Sequence, residues 1–505
     1  MKLPFSWCFL LCLFGFHAGA AAENADDTIS RRLAELALQT RAGDISPAAY
    51  DAAKRAVLDT IGVTLAGHDS AGIAAIVEQM RDWGGKPEAT VWVYGGKLPA
   101  TAATFVNSTI VHALDLDDLH VPSMVHITSV VVPTAFAVGE ATGASGKEVL
   151  AAIVLGAEVA ARLGPAYNQR VEHLGFLPTS VLGGFGAAAA ACRLKGCSLD
   201  QTVDAMGIFY AQASGNRQAL YDRTMTKRIQ PAIAAQAGVL ASYLAARGLT
   251  GPEHALEGEA GLYRIYGNDK LPPPTAAEIL APHDCWEIER LSFKKYTSCG
   301  ASHPLIEAAI ELANKHDLKL ADIAQIELFG VGVNSGMVGV PWGPHRTPHI
   351  LVQFCAPYEV VAAIKNRRMG PAEIAPERIR SDKEVSELAQ RVQLKNPEQF
   401  GAGYPGKPTI RIRTRRGQIL VASYDLGDVL RPDMFSEADV RAKFQQNAEF
   451  SGICSAEQAA AILAAVKRLD QCEHVAGFIG QHLVFQQLVK LRARISEKEL
   501  APCFR

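Results

Sequence analysis

The spacing of apolar residues divides the chain into three textures. From Thr28 to about Tyr266, apolar positions recur at helical period in long runs. In SPAAYDAAKRAVLDTIGVTLAG, Ser46 stands as a cap, Pro47 takes the first helical position and Gly67 closes the segment. The same period predicts helices in PATAATFVNSTIVHAL, SGKEVLAAIVLGAEVAARLG, TSVLGGFGAAAAACRL, SLDQTVDAMGIFYAQASG and IAAQAGVLASYLAARG, with ATVWVYG as a short strand-like interruption. Alanine favours the helix, and small side chains let helix axes approach, so a closely packed bundle is expected.

After KLPPPTAAE the pattern changes. AQIELFGVGV, PTIRIRT and QILVASYDL read as strands, the last two joined in a hairpin across Arg416-Gly417, while HPLIEAAIELANKH reads as a helix. From Ser436 the helical period returns in EADVRAKFQQNA, SAEQAAAILAAVKRL and EHVAGFIGQHLVFQQLVKLRARI. The expected fold is mainly α: a large all-helical domain formed from both ends of the chain (27–271 and 433–505), with a smaller inserted α+β lid domain at 272–432.

Composition narrows the function classes. The chain has 505 residues, 49% hydrophobic, enough for a large core. A net charge of -2, with no Lys/Arg runs interleaved with aromatics, excludes nucleic-acid binding. The opening MKLPFSWCFLLCLFGFHAGA has a cation at Lys2, an apolar stretch and then small residues, which is the order of a secretory signal cleaved after Ala20 or Ala22. The mature protein is therefore expected to be secreted or periplasmic, with no stable membrane insertion. Cys8 and Cys12 fall within that leader. The other cysteines are scattered without a C-x-x-C pair, so a zinc ribbon or iron–sulfur cluster has no support, and any disulfide pairing stays open.

The chemistry concentrates in HALDLDDLHVPSMVHIT, residues 112 to 128, with three histidines and three aspartates between apolar flanks. Continued as a helix, His112, Asp115 and Leu119 would share a face, but Pro122 turns the chain and returns His126. Asp117 or Asp118 could simply cap the next helix. Burying all six groups without a function would be costly, and a dry cleft would shift their pKa values. The pattern H-x2-D-x-D-D-x-H-x5-H also offers donors for a divalent ion, but paired i, i+4 histidines are missing and no metal is assigned. Lys227 and Arg228 stand just before an Ala-rich helix, where their charge would add to the positive end of the dipole and attract a carboxylate. His303 opens a helix beside Lys294, Lys295 and Tyr296, and Tyr358 lies at another helix entrance.

Taken in order, HALDLDD, VHITS followed by VVVPTAFAVGE, GFLPTS, MTKRIQPAIAAQAG, the Cys299–Pro304 stretch, QFCAPYEVVAAI and DVRAKFQQNA resemble the MmgE/PrpD family. That family includes 2-methylcitrate dehydratases, cis-aconitate decarboxylases and iminodisuccinate epimerases. The resemblance implies a helical main domain with a smaller lid, a homodimer, and chemistry on small di- or tricarboxylates without metal or cofactor. Carried over by motif, the catalytic positions are Asp115, His126, Lys227, His303 and Tyr358; Arg228, His112, Asp118 and Lys295 are candidates for substrate binding. The chain departs from the family pattern at Leu119 (usually Thr), Ile127-Thr128 (usually Pro-Ser), Leu177 (usually His) and Gln230 (usually His).

These residues suit elimination or decarboxylation, which places negative charge on a carbon beside a carboxylate and needs preset cations and a proton carrier. An epimerase would use the same carbanion with fewer groups. A carboxylate-binding protein that has lost catalysis is the reading of another class.

Overall fold

A computed structural model describes residues 27–171, 175–267, 271–330 and 336–485. The leader and Cys503 lie outside the described residues. The architecture is mainly helical with small sheets. The first part contributes α1 (Ile29–Gln39), α2 (Pro47–Gly67), α3 (Ile73–Trp83), α4 (Ala100–Val111), α5 (Ile127–Thr142), α6 (Gly146–Val171), α7 (Pro178–Lys195), α8 (Leu199–Tyr210) and α9 (Thr226–Ala245). Ser46 caps α2 by accepting from the Ala49 amide, with Pro47 at the first helical position.

Helix α7 lies at the centre, packed by α5, α6, α8 and α9, and its residues from Pro178 to Cys192 are all buried. A helix apolar on every face has no solvent side, which explains why α7 shows almost no amphipathic pattern. Glycine makes the crossing possible. A Cβ on Gly186 would sit 2.3 Å from the Gly156 carbonyl oxygen of α6, and one on Gly238 of α9 would sit 2.7 Å from the Gly184 carbonyl oxygen. Gly146–Gln169 is long and apolar enough to cross a membrane, but most of it is buried inside this bundle.

The inserted part carries α10 (His303–Lys315), α11 (Ala356–Asn366) and a four-stranded sheet of β3 (Ile323–Phe329), β4 (Gln393–Lys395), β5 (Thr409–Thr414) and β6 (Ile419–Ser423) in the order β4-β3-β5-β6. β3 pairs in parallel with β4 and antiparallel with β5, and β5–β6 is the expected hairpin. Residues 276–290, expected in the inserted part, pack instead against α1, α2 and α6, so that part begins after Arg290. The ATVWVYG run forms only the two-residue β1 (Ala89–Thr90), paired with β2 (Lys97–Leu98). Val93, at φ +66°, breaks it.

The chain then returns to the bundle as α12 (Glu437–Ser451), α13 (Ala456–Lys467) and α14 (Val475–His482), with α12 packed along α2. Lys443 on α12 places its Nζ 2.7 Å from Asp59 Oδ1 on α2 and donates to the Leu116 carbonyl at 2.8 Å. Helix α12 thereby ties down the aspartate-rich loop. All described cysteines are free thiols.

The α6–α7 contact yields a direct test. Gly186→Ala adds a methyl group against backbone that cannot yield and is expected to cost about 1–3 kcal/mol, read as a lower denaturation midpoint with an unchanged m-value.

Candidate active site

Helix α4 stops at Val111, so residues 112–126 form an irregular loop rather than a continued helical face. A single antiparallel bridge between Leu119 and Ser292 ties this loop to the chain entering the inserted part. The bridge carries Lys294 to the loop, while α9 brings Lys227 from the other side. Lys227 and Arg228, expected just ahead of this helix, lie in its first turn.

Asp115 is the meeting point. Its backbone sits at φ +52°, the left-handed region that aspartate tolerates better than most residues. Lys227 Nζ donates to its Oδ1, and Lys294 Nζ lies 3.2 Å from the same oxygen while also donating to the Asp115 carbonyl at 2.9 Å. Burial works against the charged carboxylate, but the two ammonium groups outweigh it and hold Asp115 well below the usual range.

Lys227 Nζ also approaches His112 Nε2 at 2.6 Å, and His112 Nδ1 stands 2.8 Å from Asp117 Oδ2. Nδ1–H therefore donates to Asp117 while Nε2 accepts from Lys227, which fixes one neutral tautomer. Burial, with the Lys227 charge, lowers His112 to about 4 despite Asp117. The same Asp117 oxygen lies 3.3 Å from His126 Nδ1, and the two imidazoles meet edge to face, 4.8 Å between centroids. His126 keeps 15% of its side chain exposed, against 2% for His112. Burial holds it below the ordinary imidazole range.

These groups open on a cavity of about 170 Å³ lined in part by His112, Asp115, His126, Lys227 and Lys294. Arg217 joins them and makes no ion pair among the described residues. Leu119 and Leu177, two of the departures from the family pattern, also line it. A third, Gln230, is turned aside, accepting from the Asn216 amide at 2.7 Å. Ser180, behind Leu177 on α7, has a buried hydroxyl with no partner among the described residues.

Five expected site residues stand elsewhere. His303 is fully buried against the Tyr296 ring, 5.1 Å between centroids, and lies behind the cavity wall; burial and the nearby Lys294 push it down to about 3. Tyr358 faces the interior of the inserted part, stacked 4.4 Å from the Trp342 ring centroid. Arg228 turns away and donates to the Ala71 carbonyl. Lys295 points outward to Glu307 at 3.4 Å, its place taken by Lys294. Asp118 caps α5, accepting from the Ile127 and Thr128 amides and the Thr128 hydroxyl; burial and neighbouring Asp117 push it up to about 7 despite those donors.

Sequence reasoning missed Asp117, Lys294 and Arg217 as site residues. Asp117 had a signal, since a carboxylate between two histidines in sequence is placed to orient both. His112, Asp115, Asp117 and His126 also gather donor atoms within 4.8 Å of one another, a set that could hold a metal ion. Asp115 in that set is already engaged by two ammonium groups.

The helical body and the inserted α+β part meet at a cavity where fixed cations face paired imidazoles, the arrangement of an enzyme site. The chain belongs to the MmgE/PrpD family: the family's N-terminal domain matches residues 31–274 and its C-terminal domain residues 296–471. It is 27% identical over 397 residues to a cis-aconitate decarboxylase of Aspergillus terreus (strain NIH 2624 / FGSC A1156), covering 75% of this chain and 81% of that protein. It is 28% identical over 308 residues to the cis-aconitate decarboxylase-like protein oryM of Aspergillus oryzae, covering 59% and 64%. The human cis-aconitate decarboxylase is 28% identical over 284 residues, 55% of this chain and 57% of its own. Together these matches support an enzyme of lyase type.

Glu359, on α11 and fully buried, was also unremarked in the sequence. Burial raises it to about 8, so the folded protein keeps a proton there that the unfolded chain loses near the ordinary value of 4.5. Stability from this group is present at low pH and falls as pH rises across that window. Glu359→Gln should match the parent in thermal midpoint near pH 5 and exceed it increasingly toward pH 9.

Proposed function

We propose that the protein is a lyase for a small carboxylic acid, decarboxylating or dehydrating it without a metal ion. The reading is carried by one observation: a neutral imidazole, His126, faces a cavity in which Asp117 orients it and Lys227 and Lys294 supply fixed positive charge. Decarboxylation of a β,γ-unsaturated acid breaks the bond to CO2 and leaves the electron pair on carbon. An ammonium group aimed at the developing charge stabilises it, and a proton carrier then completes the carbon. His126 is the group placed to carry that proton. Lys227 spends two of its three N–H donors on Asp115 and His112 and has one left for a substrate carboxylate. The activity for which the relatives are named favours decarboxylation of the cis-aconitate type over dehydration.

The same charges support the metal-free reading. A divalent ion among His112, Asp115, Asp117 and His126 would have to approach two ammonium groups already bound to Asp115. Epimerisation is the second reading, supported by Leu177: a site with one fewer imidazole can still exchange a proton at a single carbon.

Incubation in D2O with a panel of β,γ-unsaturated carboxylic acids of one to three carboxylates, cis-aconitate among them, followed by proton NMR, should show CO2 loss and deuterium in the product of at least one acid, unaffected by chelator. His126→Ala should lower kcat by about 10²–10⁴-fold. Undiminished turnover in that variant would remove His126 from the mechanism, and inhibition by chelator would restore the metal reading. Exchange without CO2 loss would select the epimerase, while binding with neither would select a carboxylate-binding protein.

We infer a homodimer as well. Ile233 and Leu240, two turns apart on the outer face of α9, are 39% and 38% exposed, and a second copy would cover them. Light scattering should give twice the chain mass, with Ile233→Asp shifting it to monomer. Export of the mature chain is proposed on the leader alone, and N-terminal sequencing of the protein recovered outside the cytoplasm should begin near residue 21 or 23.

A further inference from the structure

The cavity's charges and its walls ask for different things from a ligand. Asp115 and Asp117 offset Lys227 and Lys294, so among the described lining residues Arg217 is the cation left uncompensated. His112 and His126 are held neutral and add nothing. The site therefore carries a surplus close to one positive charge. A fully ionised tricarboxylate would overshoot it by two and would leave negative charge without a fixed partner.

Much of the rest of the wall is hydrocarbon, with Asn168, Thr179 and Ser180 as its polar members. Leu220 and Phe354 pack with Ile350, and Leu177 and Met337 lie against the same cluster. Leu119 joins a second apolar cluster with Val429 and Leu430, against which Leu426 packs. Leu119, Leu177, Leu220, Met337, Phe354 and Leu426 all line the cavity. Carboxylate or hydroxyl groups set against these six side chains, away from Asn168, Thr179 and Ser180, would lose water and gain no partner. An alkyl group placed there would be stabilised by the burial of both surfaces.

We propose that the cavity selects a carboxylic acid of lower charge than a tricarboxylate that bears a hydrocarbon substituent, with Leu177 as a specificity-determining residue. This rests on the carbanion reading of the site and names its substrate class. The carboxylate end faces Arg217 and the free donor of Lys227, and the substituent lies along the Leu177–Leu220–Phe354 wall. Leu177 is suited to the role by position. It occupies the N-cap of α7 without capping it, so its side chain is free to serve the cavity.

The test uses the full-length protein with succinate and a series of 2-alkylsuccinates from methyl to hexyl, with citrate as the highly charged comparison. Calorimetry reads affinity, and deuterium exchange at the α-carbon, followed by NMR, reads carbanion formation in the same series. Affinity should rise about three- to fourfold per added methylene over the first few carbons, and citrate should bind more weakly than 2-butylsuccinate. Leu177→Asn should flatten that rise while leaving the thermal midpoint unchanged or higher, because asparagine is a favoured N-cap. Affinity independent of chain length, or tightest for citrate, overturns the proposal. An unaltered slope in Leu177→Asn removes Leu177 from it. Exchange without length preference sinks this inference and keeps the carbanion reading; length-dependent binding without exchange or product does the reverse.

Discussion

A single buried carboxylate organises the molecule. Asp115 has a side chain only 2% exposed, and an ionised carboxylate in that position without partners would cost several kcal/mol. Its partners come from far along the chain, Lys227 at a separation of 112 residues and Lys294 at 179. One rides on the bundle helix α9, the other on the strand-like segment that leads into the inserted part. Neither the bundle nor the inserted part alone can satisfy Asp115. The charge requirement thus couples the docking of the two parts to the assembly of the cavity, and it holds the loop in a backbone conformation that a non-glycine residue adopts at some cost.

Much of the scaffold is legible in the amino-acid pattern because long helices that bury one stripe or all faces leave a strong periodic signature. The ends of α2 can be read to the residue, since Ser46 and Pro47 announce its start and Gly67 its close. The start of α9 cannot. Pro231 lies inside that helix, yet burial against α4 and α7 outweighs the hydrogen bond it forfeits, and the helix runs back to Thr226. The strand expected around Val93 fails for the opposite reason. Local β propensity there is overridden by a left-handed residue that turns the chain toward Leu483 and Val484.

The site itself was half legible. The cluster in residues 112–126 stands out from its apolar flanks, and His112, Asp115, His126 and Lys227 do line one cavity. Which of two adjacent cations enters is not encoded in residue type. Lys294 is 1% exposed and Lys295 34%, because outside regular secondary structure neighbouring side chains diverge according to the path of the backbone. Lys227 and Arg228 diverge for another reason: as adjacent positions in the first turn of α9 they point to different sides of the helix. His303 and Tyr358 lie at helix starts, as expected, but both are buried outside the cavity lining, His303 against Tyr296 and Tyr358 against Trp342, and no sequence period distinguishes burial there from a place in the cavity.

The six ionisable groups of the loop serve separate ends. Asp118 caps α5, and His120 lies 2.7 Å from Glu287, remote from the cavity lining, so both would be present in any protein with this loop geometry. Asp115 gathers cations, and Asp117 orients two neutral imidazoles. On the proposed reading, those arrangements serve any exchange beside a carboxylate, because carbanion formation there makes the same electrostatic demand whether CO2, water or a proton is exchanged. Among acids of equal charge, discrimination then falls to side chains that carry no charge. Leu119 and Leu177 occupy positions where the family pattern has groups that hydrogen-bond, and the exchange removes polar partners without disturbing any charge around Asp115. A site can diverge in substrate by that route at little cost to its fold, since the ion-paired loop that binds the two parts together is left intact.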